Sequence, residues 1–116
     1  MSIVQTIDLN LIPSGNIQII NVSQYDTASK RLFFNLFYNG APYTPEQDAV
    51  IKIRGLKPDR TKFEHVIDIT DKVALEEDMT DIAGAVFCNI EITEGNNRTG
   101  TQAFILKVQK DAKGAI

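Results

Sequence analysis

The chain has 116 residues, enough for one domain that buries a core without disulfides or a structural metal. Its formal net charge of −3 and its scattered lysines and arginines argue against nucleic acid as a partner, because such binding depends on clustered cations. The single cysteine, Cys88, excludes an intrachain disulfide and suits a reducing compartment. No apolar run approaches membrane-spanning length and no signal-peptide pattern is visible, so we expect no membrane partner.

Short segments with one alternating apolar face follow one another along the chain. They predict strands at 3–11, 17–22, 31–38, 48–55, 62–69, 85–92 and 101–109, separated by Asn39-Gly40, a Pro-Asp turn at 57–60 and a polar loop at 94–100. Residues 71–81 are interpreted as a short strand followed by a loop, with one helical turn at 75–79 as the alternative. The pattern predicts an all-β, immunoglobulin-like antiparallel β-sandwich of roughly seven to nine strands.

The inward positions of these strands predict the core. They are Leu32, Phe34, Leu36, Ile51, Ile53, Val86, Cys88, Ile90, Phe104, Leu106 and Val108.

Reactive side chains are scarce in this chain. His65 is its only histidine, and a Cys88–His65 dyad would need the imidazole within hydrogen-bond reach of the thiol. Cys88 shares a strand face with Val86 and Ile90, which favours a buried cysteine that acts as a small hydrophobe. We therefore expect no catalytic residue and no cofactor.

Metal and phosphate sites are also disfavoured. The acids Asp71, Glu76, Glu77, Asp78 and Asp81 lack the order that folds a loop around Ca²⁺, which favours a solvated acidic loop. The glycine spacing of residues 95–101 resembles a phosphate loop, but a threonine stands where the lysine belongs and a strand follows. We expect no metal ligand and a hairpin loop at 95–101.

Several large apolar residues are predicted to point away from the core. Phe87 and Ile105 oppose the inward residues of their strands, and in an immunoglobulin-like order these strands are neighbours, so their outward side chains converge. Lys52 and Arg54 would flank them as a charged rim, which is the composition of a docking site.

A second outward set lies on the aromatic strand. Phe33 and Phe37 are the second choice for a docking surface, on the opposite sheet. The alternative for either set is that loops or the N-terminal strand cover it.

Two stretches carry a resemblance to a known family: LFFNLFYNGAPYT at 32–44 and IRGLKPDRT at 53–61. They resemble the N-terminal domain family of phage baseplate upper proteins, found in tailed phages and prophages of Gram-positive bacteria. The matching positions are Leu32, Phe34, Leu36, Asn39, Gly40, Pro42, Tyr43, Gly55, Lys57, Pro58, Asp59, Thr61, Gly84, Val86, Ile90, Ile92, Thr101, Gln102, Phe104, Ile105 and Val108. Arg60 replaces the usual glycine, which puts in doubt only the geometry of that turn.

The resemblance implies a non-enzymatic structural protein. It implies an immunoglobulin-like attachment domain at 1–110 that docks a peripheral arm or a receptor-binding protein onto the tail core, with other baseplate or tail proteins as partners. It also implies a flexible tail at 111–116 that begins a truncated stalk, and oligomerisation through missing C-terminal regions. The expected location is the virion tail tip, after synthesis in the bacterial host cytoplasm.

A carbohydrate-binding or adhesin sandwich is the alternative function. Such modules present aromatic platforms in their loops. The chain contains no tryptophan, and its loop aromatics are limited to Tyr25 and Tyr43, which weighs against sugar stacking.

Overall fold

Two β-sheets packed face to face form this protein, in a computed structural model that describes residues 3–12, 16–27 and 30–110. The strands are β1 (Ile3–Asn10), β2 (Ile19–Ser23), β3 (Lys30–Tyr38), β4 (Ala41–Pro42), β5 (Val50–Leu56), β6 (Lys62–Val66), β7 (Val73–Ala74), β8 (Gly84–Glu94), β9 (Asn97–Gly100) and β10 (Phe104–Gln109). One short helix, α1 (Glu77–Thr80), precedes β8. The predicted all-β fold is confirmed, with ten strands in the described part of the chain, two of them only two residues long. The expected tail at 111–116 lies outside the described residues.

Pairing between strands is mixed, which corrects the predicted antiparallel order. Sheet A has the order β1-β3-β4, with β7 also paired to β3, and sheet B has the order β2-β10-β8-β5-β6, with β9 paired to β8. β1 runs parallel to β3, and β2 runs parallel to β10. The chain crosses from sheet A to sheet B between β1 and β2, so neither strand joins its partner through a hairpin turn. Local turn residues therefore carry no signal of these two pairings.

The core fills the space between the two sheets. All of the core residues predicted from alternation are buried, and they are joined by residues of β1, β2, β6 and α1. Phe34 of sheet A and Phe104 of sheet B meet with ring centroids 5.5 Å apart. On sheet B, the Phe63 ring lies directly over Gly55, where a Cβ would come within 2.1 Å of it. This close approach explains why a glycine stands near the end of β5, opposite Phe63.

A buried glutamine ties the two sheets together on one side of the sandwich. Gln102 Oε1 accepts hydrogen bonds from the Asn10 amide at 3.0 Å and from Asn10 Nδ2 at 2.9 Å. Gln102 also donates through its backbone N–H to the Asn10 carbonyl at 2.9 Å and through Nε2 to the Asn16 carbonyl at 2.6 Å. The end of β1 is thereby fixed to the segment that leads into β10.

Three segments differ most from the sequence prediction. β8 continues to Glu94, and the expected polar loop at 94–100 contains β9 after a tight turn, because the hairpin continues past the last apolar residue. Residues 71–81 contain both the predicted short strand, β7, and the single helical turn that was the alternative. The strand predicted at 62–69 ends at Val66, from which the chain leaves sheet B.

The Asn39-Gly40 turn between β3 and β4 has the expected geometry. Both residues have positive φ, 50° and 78°, as in a type I′ hairpin turn. Arg60, at the position where the family pattern has glycine, also has positive φ, 71°. The backbone of Arg60 therefore lies in the left-handed region, which a residue with a side chain disfavours.

Candidate docking surface

An apolar row crosses four neighbouring strands on the outer face of sheet B. Ile105 lies opposite Phe87 in the β10–β8 pair and opposite Ile19 in the β10–β2 pair, and Phe87 lies opposite Leu56 in the β8–β5 pair. We call Ile19, Ile105, Phe87 and Leu56 the apolar row. Strand spacing gives it a length of about 15 Å.

The apolar row is open to solvent. Ile19, Phe87 and Leu56 are 56%, 51% and 41% exposed, and Ile105 between them is half-buried. A large aromatic ring and two aliphatic side chains are thus exposed in one row. A contiguous exposed patch of this kind is typical of an interaction site, whereas apolar residues exposed singly are common on any protein surface. Of the predicted site residues, the structure brings Phe87 and Ile105 together, and it adds Leu56 and Ile19 to them.

The predicted cations lie on the same face but engage acidic neighbours. Arg54 Nη1 donates to Glu91 Oε2 at 2.7 Å, and Arg54 Nε donates to Asn89 Oδ1 at 3.2 Å. Lys52 Nζ lies 3.0 Å from Glu64 Oε1. This contact is the main reason that the pKa of the Glu64 carboxyl falls below its ordinary value, through the hydrogen bond first and the charge second. Lys52 and Arg54 are therefore partly neutralised before any partner arrives.

Two other lysines also adjoin the apolar row. Lys62 lies opposite Leu56 in the β5–β6 pair, and Lys107 follows Ile105 on the same face of β10. Neither makes an ion pair with a described residue. An open depression of about 530 Å³ lies beside the row, lined in part by Arg54, Lys62 and Phe87. The sequence prediction missed these two lysines as neighbours of the row, because only the pairing of the strands shows which residues lie beside it.

The second-choice surface on sheet A is less continuous. Phe33 lies opposite Thr6, and Phe37 lies opposite Asn10 on β1. Both phenylalanines are half-buried, and Asn35 between them donates to Asp8 Oδ1 at 3.1 Å. β1 lies beside β3 in the plane of the sheet, so the alternative that the N-terminal strand covers these rings does not hold.

The only histidine lies between two carboxylates, one directly before α1 and one within it. His65 Nδ1 is 2.7 Å from Glu76 Oε2, and Nε2 is 2.8 Å from Asp78 Oδ1. These three residues are the only group of potential metal ligands in the described part of the chain. A metal ion bound to one ring nitrogen of His65 would need both carboxylates around that same nitrogen. Here each ring nitrogen faces a different carboxylate. These polar contacts, one at each ring nitrogen, attach α1 and the residue before it to β6.

Two of the five acids predicted to form a solvated loop thus contact His65, and a third forms an ion pair with a lysine. Asp81 Oδ1 accepts from the buried Lys57 ammonium at 3.1 Å. Glu76, Asp78 and Asp81 thus remain at least partly open to solvent, as expected of an acidic loop, but each also has a cation or imidazole partner. Their partners are between 11 and 24 residues away along the chain, so sequence spacing within the segment could not reveal them.

The cysteine is inaccessible and distant from the histidine. Cys88 is buried, and desolvation raises the pKa of its thiol to about 12. β5 lies between β8, which carries Cys88, and β6, which carries His65, so about 10 Å of sheet separates the two. The Cys88–His65 dyad does not form.

The loop tyrosines do not form one platform. Tyr25 lies beside Thr80, near the start of β8, and the Tyr43 hydroxyl donates to Glu94 Oε1 at 2.5 Å, at the end of β8. β8 has eleven residues, so roughly 30 Å separates the two rings. A single sugar ring cannot stack on both.

No helix among the described residues has the length and apolarity needed to cross a membrane. No protein-family model matches the chain, and no curated protein matches it either.

Proposed function

We propose that this protein is a non-enzymatic structural domain of a phage tail tip that docks onto other tail proteins through the outer face of sheet B. The observation that carries the proposal is the apolar row, in which three exposed side chains and the half-buried Ile105 lie in register across four strands. An apolar centre provides affinity in a protein–protein interface, while a charged rim provides orientation.

The sandwich suits this role because it holds the row on a rigid support. β8 and β10, which carry Phe87 and Ile105, lie inside sheet B, and their inward side chains are almost completely buried. The resemblance of residues 32–44 and 53–61 to baseplate upper proteins supplies the phage context. The domain alone is expected to be monomeric or weakly associated, which sedimentation of the purified chain will measure.

The test is a binding measurement with defined partners. The partners are the tail proteins encoded beside the gene for this chain, purified one at a time and titrated by calorimetry. We expect one of them to bind, and we expect Phe87→Ser and Ile105→Ser each to weaken binding by at least about tenfold, the scale of a central interface residue. Phe33→Ser on sheet A is the matched control and should bind like the wild type. Far-UV circular dichroism confirms that each variant is folded.

Two results would overturn the proposal. If Phe33→Ser abolishes binding while the two sheet B variants bind normally, the docking face is on sheet A. If no tail protein binds the wild-type chain while a host-surface glycan does, the adhesin function replaces this one.

A further inference from the structure

We infer that the partner of this face presents an apolar ridge flanked by carboxylates. The inference rests on the proposed function, since it concerns the same docking face, and it specifies the chemistry of the partner. It is carried by the unequal distribution of charge over the sandwich.

Most of the charged side chains on the outer face of sheet B are cationic. Strand register places five cations and two carboxylates on this face, which gives it a formal charge of +3 on a chain whose net charge is −3. They are Lys52, Arg54, Lys62, Arg98, Lys107, Glu64 and Glu91. The rest of the chain is correspondingly acidic.

The cations divide into a paired group and a free group. Arg54 and Arg98 both approach the buried Glu91, at 2.7 Å and 3.6 Å, and Lys52 is held by Glu64. Lys62 and Lys107 have no ion pair with a described residue. Lys62 lies beyond the Leu56 end of the apolar row, and Lys107 lies beside Ile105. The free positive charge is therefore concentrated beside the exposed apolar side chains.

A carboxylate on the partner would form its most favourable ion pairs with Lys62 and Lys107. Lys62 adjoins Leu56, and Lys107 adjoins Ile105, so side chains that cover the row would also partly exclude water from the ammonium groups. Charge pairs at an interface rim mainly set the association rate and the orientation of the partner. Two cations about 15 Å apart along the row would thus fix the direction in which the ridge lies.

Two other occupants fit the face less well. A second copy of this chain would bring one +3 face against another, so like charges would repel at the rim. Nucleic acid would find phosphate partners in the lysines, but the centre of the face is an apolar row and three of the five cations are already paired.

The experiment separates charge from apolar contact. The tail protein that binds the wild-type chain is titrated against Lys62→Glu, Lys107→Glu and their combination, at about 50 mM and about 300 mM NaCl, a range over which the Debye length shortens more than twofold. Lys72→Glu is the matched control, because Lys72 is exposed, has no ion pair with a described residue and lies outside sheet B. We expect the double variant to bind at least about tenfold more weakly at low salt and the control to change less than about twofold. The difference in affinity between the wild type and the double variant should be smaller at high salt.

Each other outcome identifies a different error. If the lysine variants bind normally while Phe87→Ser does not, the partner is apolar without an acidic rim, and the inference fails while the proposed function stands. If neither lysine nor Phe87 variants lose binding, the docking face itself is wrong. The inference is also overturned if the chain forms dimers that Phe87→Ser disrupts, or if a labelled DNA duplex binds with the same dependence on Lys62 and Lys107.

Discussion

The outer faces of the two sheets carry similar residues but arrange them differently. On sheet B, strand register sets Phe87 between Ile105 and Leu56, so that apolar side chains merge across the strands. On sheet A, Phe33 lies beside Thr6, so its apolar surface ends at the next strand.

The outer faces of the two sheets also differ in charge. The face of sheet B is net cationic, whereas on sheet A the Asp8 carboxylate accepts from Asn35 between the two phenylalanines. We therefore expect outward aromatic residues to form a docking surface where pairing between strands brings apolar neighbours beside them.

The largest effect is expected where internal packing supports the face of sheet B. Gly55→Ala would place a Cβ within 2.1 Å of the Phe63 ring and force β6 away from β5. We expect the free energy of unfolding to fall by about 2 to 3 kcal/mol, the upper range for overpacking a core. Urea denaturation measures this change.

A second substitution distinguishes packing from backbone effects at this site. Phe63→Leu in the Gly55→Ala background should recover part of the loss, because the smaller side chain leaves room for the new methyl group. A neutral Gly55→Ala variant would mean that β6 is not held against β5 in this way.

A change in the hairpin of sheet A should cost less and should leave docking intact. Gly40 has φ of 78° and no atom near the position of a Cβ, so Gly40→Val pays for backbone strain alone. We expect about 1 to 2 kcal/mol of destabilisation in a denaturant melt, with a smaller loss for Gly40→Asn, since asparagine tolerates this conformation. Weaker binding of the tail partner by the folded Gly40→Val variant would contradict the separation of the two faces.

A pH-dependent contact connects the loop after β4, on the sheet A side, to the end of β8 in sheet B. The hydrogen bond from the Tyr43 hydroxyl lowers the pKa of the Glu94 carboxyl below its ordinary 4.5, and the same bond raises the pKa of Tyr43 to about 12. A carboxyl whose pKa is lowered by folding contributes stability above its unfolded value, and that contribution is lost as the pH falls through the folded value.

Tyr43→Phe removes this hydrogen bond. It should therefore lower stability by about 1 kcal/mol at pH 7 and by progressively less below a pH of about 4. Denaturant melts of both proteins across this range measure the difference. A difference that stays constant down to strongly acidic pH would show that the contact does not involve the ionised carboxylate.

The smallest effect is expected at the turn beside the face of sheet B. Arg60 adopts φ of 71°, which costs an L-residue about 1 to 2 kcal/mol, while a glycine there adds entropy to the unfolded chain. The two terms leave a net gain of roughly 0.5 kcal/mol for Arg60→Gly. A thermal melt detects it, and Arg60→Ala serves as the control that lacks the gain. A destabilised glycine variant would mean that the arginine side chain stabilises the turn.

Local pattern predicted the sandwich and much of the apolar row. Alternation on neighbouring antiparallel strands was sufficient to place Phe87 beside Ile105. It could not add Ile19, because β2 joins β10 in parallel without a connecting hairpin. It also left Leu56 outside the predicted strand at 48–55, because β5 extends one residue further than expected.

Charge partners were the least predictable feature. Glu76 and Asp78 reach His65 from a different segment, and their role depends on how the chain passes from β6 to α1. Likewise, the residue types of Lys62 and Lys107 do not distinguish them from other lysines. Only strand register places these two beside the apolar row and leaves them without a carboxylate.

The most direct test of the account is a map of the bound face in solution. A methyl-labelled sample of the chain is titrated with the tail protein that binds it, and nuclear magnetic resonance follows Ile19, Leu56 and Ile105 on sheet B and Val4, an exposed methyl-bearing residue on sheet A. We expect the signals of the three sheet B residues to shift or broaden while that of Val4 stays unchanged. Perturbation of Val4 with unchanged signals from Ile19, Leu56 and Ile105 would contradict it.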